Sequence, residues 1–577
     1  MNYSLGNMLG GAGALNPDKL ALNLQFATDK TLTARRGPTP VFTRASTATH
    51  VGPTGLIGHA ENLAIYSEQF NFYTESGNIV YEGSNLATAP NGTLTADRIR
   101  FTGGTTGSLL RSSTGAFAGS KVITLWVKHV PTSDVVGAAF RLKFGDAVSS
   151  DFTATTQWQR FEFVTTDNAS SFLGIVAPST GSTQTFDIWG IQYQRGTFST
   201  EYLPTTTAAV YGARFDHDPI TLACKGLLIE ESRTNLALQS ENHPSATWNK
   251  TGVTVASATN TAPNGSTTSN LVSEDSSTGL HRIFQSTAYV TGTSYSISCF
   301  LKYAGRQFVA ISHPAVTLNN IAIFDIQNGT ISLSQSGITS SITAYPNGWY
   351  RCVVNGVAAT TATQSHIIQG STTGGTLTGS YTGLNGAAFY IYGSQVEAGA
   401  FPTSYIPTTT ASVVRSADIC SITGASFTSF YNQSEGTLFA DATPLAISQL
   451  SHVLGINTTG LNNAHSIWKS NSAISGVGLR WVATTTNGSS PQSLISTTTD
   501  IATTRSKLSY AYKTDDMVFV ANGSLVGTDT SGTMPTSTAM RIGSRDDGTG
   551  FYLNGHLASI RYYKKRLANA KLQALTA

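Results

Sequence analysis

The first residues that could do chemistry are Asp216-His217-Asp218-Pro219, where a carboxylate stands beside a histidine. Such a pair can form a general base. However, adjacent residues of a strand point to opposite faces, and Pro219 indicates a turn. We therefore interpret the four residues as structural. The sequence also contains no G-x-S-x-G, H-E-x-x-H or P-loop motif, so we predict that the protein is not an enzyme.

A glycan depolymerase is the enzymatic alternative. It would need two carboxyl groups about 5–10 Å apart across one groove. Acidic residues are sparse, with 32 in a chain of 577. Their separation in space cannot be read from the sequence, so a depolymerase remains the second alternative.

A second group of candidates lies near the C-terminus, in a stretch rich in Ser and Asn. Aromatic rings stack on the apolar faces of sugars, and Asn, Asp and Arg bind sugar hydroxyls. The residues predicted to bind glycan are His465, Trp468, Trp481, Arg545 and Asp546. The alternative is that each tryptophan is a buried structural residue in the core of a sandwich.

Asp546 and Asp547 are candidates for a calcium site. Calcium prefers six to eight oxygen ligands, and two carboxylates could supply some of them. A solvated turn is the simpler interpretation. We expect no cofactor, with calcium as the one metal to consider.

The composition excludes several classes of protein. The 35 basic and 32 acidic residues give a net charge of +3, which is no basis for binding a polyanion through bulk charge. The basic run at Lys564, Lys565 and Arg566 is too local for nucleic acid and predicts a solvated face. No run approaches 18 apolar residues, so no membrane span is expected.

Almost the whole chain has the period-two pattern of strands. Examples are KVITLWVKHV at 121–130 and SYSISCFLKY at 294–303, with Gly, Asn, Pro and Ser between such runs. Helical periodicity appears only from Lys564 onward. The four cysteines form no C-x-x-C pair and predict free thiols. The pattern predicts an all-β protein of sandwiches or jelly rolls.

An internal repeat is the strongest signal in the sequence. Both copies contain the string TAPNG, at 88–92 and 261–265, and both close on similar strings, YLPTTTAAV from Tyr202 and YIPTTTASV from Tyr405. Asn62 in the first copy matches Asn235 in the second. The second copy has about thirty extra residues, near 306–345 and 360–385. We predict duplicated domains with different loops, and binding residues among the unmatched positions.

The segment 421–577 differs from the repeat. Asp515-Asp516 and Asn522-Gly523 stand between apolar alternations and predict two hairpin turns. The string from Ala539 to the C-terminus predicts two further strands and a short terminal helix.

Three strings identify a family. PVFTRASTATHVGPTGLI from Pro40, RFDHDPITLACKGLLIEESRTNLALQSEN from Arg214 and GSQVEAGAFPTSYIPTTTASVVRSAD from Gly393 resemble tailed-bacteriophage tail-fibre and virion-appendage proteins. In these proteins, jelly-roll modules similar to carbohydrate-binding modules lie between a virion-attachment segment and a distal domain. The strings at 507–577 resemble the laminin-G-like, or concanavalin-like, sandwich that often ends them.

The resemblance implies four parts. These are a virion anchor at 1–39, a first jelly-roll module with its leading linker at 40–212, a second at 213–420 and a concanavalin-like domain at 421–577. The N-terminal anchor, with Met1, Asn2, Tyr3 and Leu5, would become ordered on another virion protein, because its one strand, LALNLQF, cannot form a core alone.

The resemblance also implies a function. The expected protein is a non-enzymatic tail fibre or receptor-binding adhesin, located in the virion and made in the cytoplasm of the bacterial host. Its C-terminal domain would bind a host surface polysaccharide, and it would form a homotrimer. A capsid or neck fibre with a mainly structural role is the first alternative.

Overall fold

The computed structural model describes residues 19–112, 119–131, 138–166, 172–257, 260–314, 320–445, 449–458, 462–471, 478–499, 503–545 and 550–577. The protein is all-β, as predicted. Its α-helices in these ranges are short: α1 (Phe26–Asp29), α2 (Gly424–Phe430) and α3 (Asn569–Thr576). None of the helices in the described ranges has the length and apolarity needed to cross a bilayer.

The strands are numbered in chain order. Up to Arg195 they are β1 (Leu20–Leu24), β2 (Val41–Thr43), β3 (Thr49–Val51), β4 (Ile57–His59), β5 (Glu61–Asn62), β6 (Thr74–Ser76), β7 (Ile79–Ala87), β8 (Ala96–Thr102), β9 (Ser108–Ser112), β10 (Lys121–His129), β11 (Ala139–Phe144), β12 (Ala147–Val148), β13 (Phe152–Thr153), β14 (Gln159–Thr165), β15 (Phe172–Val176) and β16 (Thr183–Arg195).

The next strands extend to Ala398. They are β17 (Val210–Tyr211), β18 (Arg214–His217), β19 (Cys224–Ile229), β20 (Arg233–Asn235), β21 (Asn249–Thr251), β22 (Val253–Ser257), β23 (Asn270–Glu274), β24 (Thr278–Gly279), β25 (Arg282–Tyr289), β26 (Ser294–Ala304), β27 (Phe308–His313), β28 (Asn320–Asp325), β29 (Thr330–Ser334), β30 (Ile338–Tyr345), β31 (Trp349–Val357), β32 (Ala362–Ser371), β33 (Tyr381–Thr382) and β34 (Ala388–Ala398).

The last strands precede α3. They are β35 (Val413–Arg415), β36 (Ile419–Thr423), β37 (Glu435–Pro444), β38 (Ser451–Asn457), β39 (Ala464–Lys469), β40 (Trp481–Asn487), β41 (Ser490–Ser496), β42 (Ser506–Lys513), β43 (Met517–Ala521), β44 (Ser524–Asp529), β45 (Ala539–Ile542) and β46 (Gly555–Tyr563).

The two repeat copies have the same pair of antiparallel sheets. In the first module the orders are β14-β10-β16-β8-β7 and β12-β11-β15-β9-β6. In the second they are β30-β31-β26-β34-β23-β22 and β29-β28-β27-β32-β25-β21. In the first module β13 also pairs with β11. Along the orders given, the strands agree one for one, and the second module adds an outer strand at one end of each order. The added strands, β29 and β30, lie in the predicted insertion near 306–345.

The contacts of the chain divide it differently from the four predicted segments. Among the described residues, one compact unit contains 19–43, Cys224–Glu231 and Ala417–Ala577, and the other contains Arg44–Ala223 and Ser232–Ser416. Both jelly-roll modules therefore belong to one unit. The C-terminal sandwich takes in two segments that lie far from it in sequence.

One sheet of the C-terminal sandwich explains this division. The strands of this unit lie in the order β19-β46-β37-β42-β43-β44, and β1 also pairs with β46, with Leu24 opposite Ile560. The second sheet has the order β2-β36-β45-β38-β39-β40-β41. Leu22 and Leu24 are fully buried. The strand at 20–24 thus finds its partner in this chain, which corrects the expectation that it needs another protein to become ordered.

The local predictions for the C-terminal segment are confirmed. Asp515 has φ 57° in the turn between β42 and β43, and Asn522 and Gly523 have φ 47° and 78° in the turn between β43 and β44. Two positive φ angles in succession are what a type I′ hairpin turn requires. The last two strands and the terminal helix follow as predicted, in β45, β46 and α3.

Candidate functional site

The outer face of one sheet in the second module forms a cavity. In this sheet Arg282 on β25 lies opposite Gln369 on β32, which in turn lies opposite Ala310 on β27. Their strand neighbours Ile283 and Ile311 belong to the core between the sheets. Because side chains alternate along a strand, Arg282, Gln369 and Ala310 all point away from that core.

The cavity has a volume of about 190 Å³. This is below the range of about 300–1,000 Å³ typical of sites for drug-sized ligands, so it fits a single small unit of a larger ligand. The residues that line it are Leu280, Arg282, Ala310, Ser312, Ile321, Ile367, Gln369 and Leu377.

The floor of the cavity is apolar and lies largely in the longer parts of the second copy. Ala310, Ile321 and Ile323 are buried, and Phe308, Leu333 and Leu377 pack against them. These residues fall in the two stretches that distinguish the second copy from the first. Such a cluster on the outward face of a sheet is a concave apolar surface with polar groups at its margin, which is the general character of a ligand site.

The segment 372–380 covers one side of the floor. Gln369 donates from Nε2 to the carbonyl of Thr378 at 3.1 Å, and the Ser371 hydroxyl donates to the carbonyl of Thr373 at 2.9 Å. A β-carbon at Gly374 would lie 2.9 Å from the ring of Phe308. Glycine therefore permits the close approach that places Leu377 over the sheet.

The polar groups of the cavity differ in their hydrogen-bond partners. The hydroxyl of Ser312 accepts a hydrogen bond of 2.9 Å from the backbone N–H of Ile367. The guanidinium carbon of Arg282 lies 5.0 Å from the centre of the Phe284 ring, which holds the side chain by a cation–π contact. The Nε of Arg282 is buried and has no hydrogen-bond partner within the described parts of the chain.

The described part of the first module differs at the matching positions. Ser108 lies opposite Ser76 and Val176, as Arg282 lies opposite Thr251 and Gln369. The position of Arg282 is thus occupied by a serine. The position of Ala310 is occupied by Arg141, which lies opposite Val176 as Ala310 lies opposite Gln369. The first module thus has an arginine where the second module has part of its apolar floor.

The structure places two of the predicted glycan-binding residues in the core of the C-terminal sandwich. His465 is fully buried and stacks on Tyr512 at 3.6 Å between ring centres. Burial lowers its pKa to about 3, so it is neutral at physiological pH. Trp481 is also buried, and its indole N–H donates to Ser506 at 3.2 Å. Neither side chain offers a surface to a sugar, which corrects the prediction for both.

Trp468 has a different environment. It lies on the same strand as His465 but three residues on, so it points to the other face of the sheet. It is half-buried, stacks on His452 at 6.5 Å and donates from its indole N–H to Thr484 at 3.2 Å. Trp468 therefore keeps part of its ring open to solvent.

The remaining candidates do not assemble with these. The guanidinium of Arg545 lies 4.3 Å from the centre of the Phe551 ring, while Asp546 and Asp547 lie outside the described residues, as do Met1, Asn2, Tyr3 and Leu5. Within the described ranges, no group of three or more His, Cys, Asp or Glu side chains is placed to hold a metal ion.

The Asp216-His217 pair has the structural role that the sequence predicts. Both side chains are buried. Asp216 accepts a hydrogen bond of 2.7 Å from the backbone N–H of Val51, and Nδ1 of His217 lies 3.3 Å from the carbonyl of the same residue. The pair thus fixes β3 beside β18.

Trp158 in the first module and Trp349 in the second have the same structural role. The indole N–H of Trp158 donates to the carbonyl of Thr88 at 2.9 Å, and that of Trp349 donates to the carbonyl of Thr261 at 2.8 Å. Each indole thus holds the turn that contains the TAPNG string of its own module.

No protein-family model and no curated protein matches the sequence. Among solved structures, the chain is similar to the carbohydrate-binding module CBM40 of a Ruminococcus gnavus IT-sialidase, with 15% identity over 25% of this chain and 84% of that one, at a TM-score of 0.22. It is similar to a tandem of CBM22 domains from Paenibacillus barcinonensis Xyn10C, with 12% identity over 62% and 100%, at 0.20. A third similarity is to the Trypanosoma rangeli sialidase, with 10% identity over 96% and 95%, at 0.23. With TM-scores this low, no argument about the function of this chain rests on them.

Proposed function

We propose that the protein is a non-enzymatic glycan-binding component of a tailed-bacteriophage appendage, and that its second jelly-roll module binds the glycan. The observation that carries the proposal is the cavity of about 190 Å³ on the outer sheet face. The duplicated modules and the strings similar to phage appendage proteins support the biological setting.

The cavity suits one sugar residue of a longer chain. A sugar ring has apolar C–H faces and polar edges, and the cavity has an apolar floor at Ala310 and Ile321 with Gln369 and Arg282 beside it. The cavity lies on the outer face of the sheet, so neighbouring sugars of a polymer can extend past it. This placement moves the proposed site from the C-terminal domain, favoured by the sequence, to the second module.

Weak sites of this kind act together. A homotrimer, which the resemblance implies, would present three cavities to one polysaccharide surface. Linked sites raise the overall avidity by roughly 10²–10⁴ without any new contact.

Binding of the full chain to an array of bacterial polysaccharides and defined oligosaccharides tests the proposal. We expect saturable binding to a subset of glycans. The variant Ala310→Trp fills the cavity and should abolish this binding, while Lys143→Trp, on the corresponding sheet of the first module, should leave it unchanged.

A second variant keeps the test decisive if Ala310→Trp fails to fold. Leu377→Ala removes one apolar wall from a half-buried position and should weaken binding by roughly tenfold, since a lost leucine contact costs about 1.5 kcal/mol or more. Binding to no glycan, or equal binding by the filled variant, would overturn the proposal.

A further inference from the structure

Resting on the proposed function, we infer that the cavity of the second module selects an acidic sugar, whose carboxylate pairs with Arg282. Among the described residues that line the cavity, Arg282 is the one with a charged side chain, and none carries a carboxylate. The local charge is therefore positive, although the chain as a whole is close to neutral.

Arg282 is held in place but is not neutralised. Its guanidinium rests on the ring of Phe284, and no hydrogen bond or ion pair joins it to another described residue. The nearest acidic residues in sequence have other partners. Glu274 accepts 2.7 Å hydrogen bonds from Arg306 and Tyr381, and Asp275 accepts from Ser277 at 2.5 Å.

The terminal nitrogens of the guanidinium can act as an oxyanion receptor. They present two parallel N–H groups that match the two oxygens of a carboxylate. Nε is buried without an acceptor among the described residues, so a carboxylate in the cavity would be the first anionic partner of this guanidinium. This favours an anionic ligand over a neutral one.

The apolar floor favours a ligand whose anionic group is attached to a ring with an apolar face. Ala310, Ile321 and Ile367 are at most 8% exposed and form an apolar surface beside Arg282. An inorganic anion alone would gain nothing from this surface, whereas the C–H face of a sugar ring would. The combination selects a ring that bears a carboxylate, such as a uronic acid or another sugar acid.

The first module serves as an internal comparison. Ser108 stands in the place of Arg282, and Val176 in the place of Gln369. At these two positions the first module has neither the charge nor the donor amide. Its Arg141 stands in the place of the apolar Ala310 and donates from Nε to the carbonyl of Ala177 at 2.8 Å. The inference therefore assigns acidic-sugar binding to one module of the pair.

The experiment uses the full chain on an array containing carboxylated, sulfated, phosphorylated and neutral glycans. The strongest carboxylated glycan is then compared with its carboxyl-reduced form, in which CH₂OH replaces the acid. We expect carboxyl reduction to weaken binding by at least about tenfold, the usual worth of a charge-assisted hydrogen bond. This arm needs no variant, so it does not depend on folding of a mutant.

Variants locate the effect. Arg282→Gln should weaken binding of the carboxylated glycan by at least about tenfold and leave the weak binding of the reduced glycan unchanged. Arg282→Lys should bind the carboxylated glycan more tightly than Arg282→Gln but less tightly than the parent. Lysine keeps the positive charge but lacks the paired N–H groups of the guanidinium. Lys143→Gln removes the same charge from the corresponding sheet of the first module and should have no effect.

The outcomes separate this inference from the proposed function. Equal binding of the acid and its reduced form, preference for sulfated or phosphorylated glycans, or no effect of Arg282→Gln would overturn the acidic-sugar inference while glycan binding stands. Binding to no glycan at all would overturn both.

Discussion

Asn62 and Asn235 make the same four hydrogen bonds, one set in each module. Asn62 donates to the carbonyls of Ile191 and Leu203 at 3.1 and 2.7 Å, and its side-chain oxygen accepts from two backbone N–H groups at 3.0 and 3.1 Å. Asn235 donates to Ser394 and Ile406 at 3.1 and 2.8 Å and accepts two bonds of 3.0 Å. The two copies thus share their internal hydrogen bonds, in the network that closes each sandwich.

The variant Asn235→Ala should destabilise the second module by about 3 kcal/mol, because it leaves buried backbone donors and acceptors without partners. Urea unfolding followed by tryptophan fluorescence measures the loss. Asn91→Ala, in an exposed turn of the first module, is the matched control and should cost much less. Equal effects of the two variants would refute the structural role of Asn235.

A second prediction concerns the pH dependence of the first module. Burial raises the pKa of Glu61, but the attraction and hydrogen bonds of Arg195 outweigh burial and lower it from 4.5 to about 2. A lowered pKa stabilises the folded state above the unfolded pKa, and this stabilisation disappears as the pH falls from about 4.5 to about 2. Its size is about 3 kcal/mol.

The Glu61→Gln variant tests this sign. It should be less stable than the parent at pH 7, and the difference should shrink toward zero as the pH falls to 2. Urea unfolding between pH 2 and 7 gives the two stability curves, with Glu162→Gln as the exposed control. A difference that stays constant with pH would contradict the ion-pair account.

Thiol reactivity provides a third prediction. Cys299, Cys352 and Cys420 are buried and free, and burial raises the pKa of each, whereas Cys224 is partly exposed. Ellman's reagent should therefore modify one thiol rapidly in the native protein and three more after denaturation. Rapid modification of all four thiols in the native state would contradict the burial of Cys299, Cys352 and Cys420.

A fourth prediction concerns β1. Replacing Leu22 and Leu24 by Ala should destabilise the C-terminal sandwich by about 4 kcal/mol, since each large-to-small change in a core costs about 2 kcal/mol or more. Thermal unfolding measures this, and Leu86→Ala is the control because Leu86 is 48% exposed. If 20–24 instead needs a partner protein to become ordered, the double variant will melt like the parent.

Features that depend on a short local pattern could be predicted from the sequence. The turn at Asn522-Gly523, for example, follows from two residues that tolerate positive φ. The pairing of β1 with β46 could not be predicted, because an apolar strand of five residues does not specify which distant edge it completes. His465 and Trp468 show a related limit: both faces of β39 carry aromatic or apolar residues, so the alternation does not tell which face is buried.

The cavity also could not be predicted from the sequence, because it depends on the order of the strands in the sheet. Arg282, Ala310 and Gln369 become neighbours only through the order β25-β32-β27, which places residues from separate strands side by side. The signal that pointed toward it was the extra length of the second copy. The unmatched stretches near 306–345 and 360–385 supply most of its lining.

Hydrogen–deuterium exchange of the full chain, with and without the glycan that binds most strongly on the array, locates the bound glycan. We expect increased protection in β25, β27 and β32 and in the segment 372–380, with none in β9, β11 and β15 of the first module. Protection confined to β38–β40 around Trp468 would contradict it and would place the glycan on the C-terminal sandwich instead.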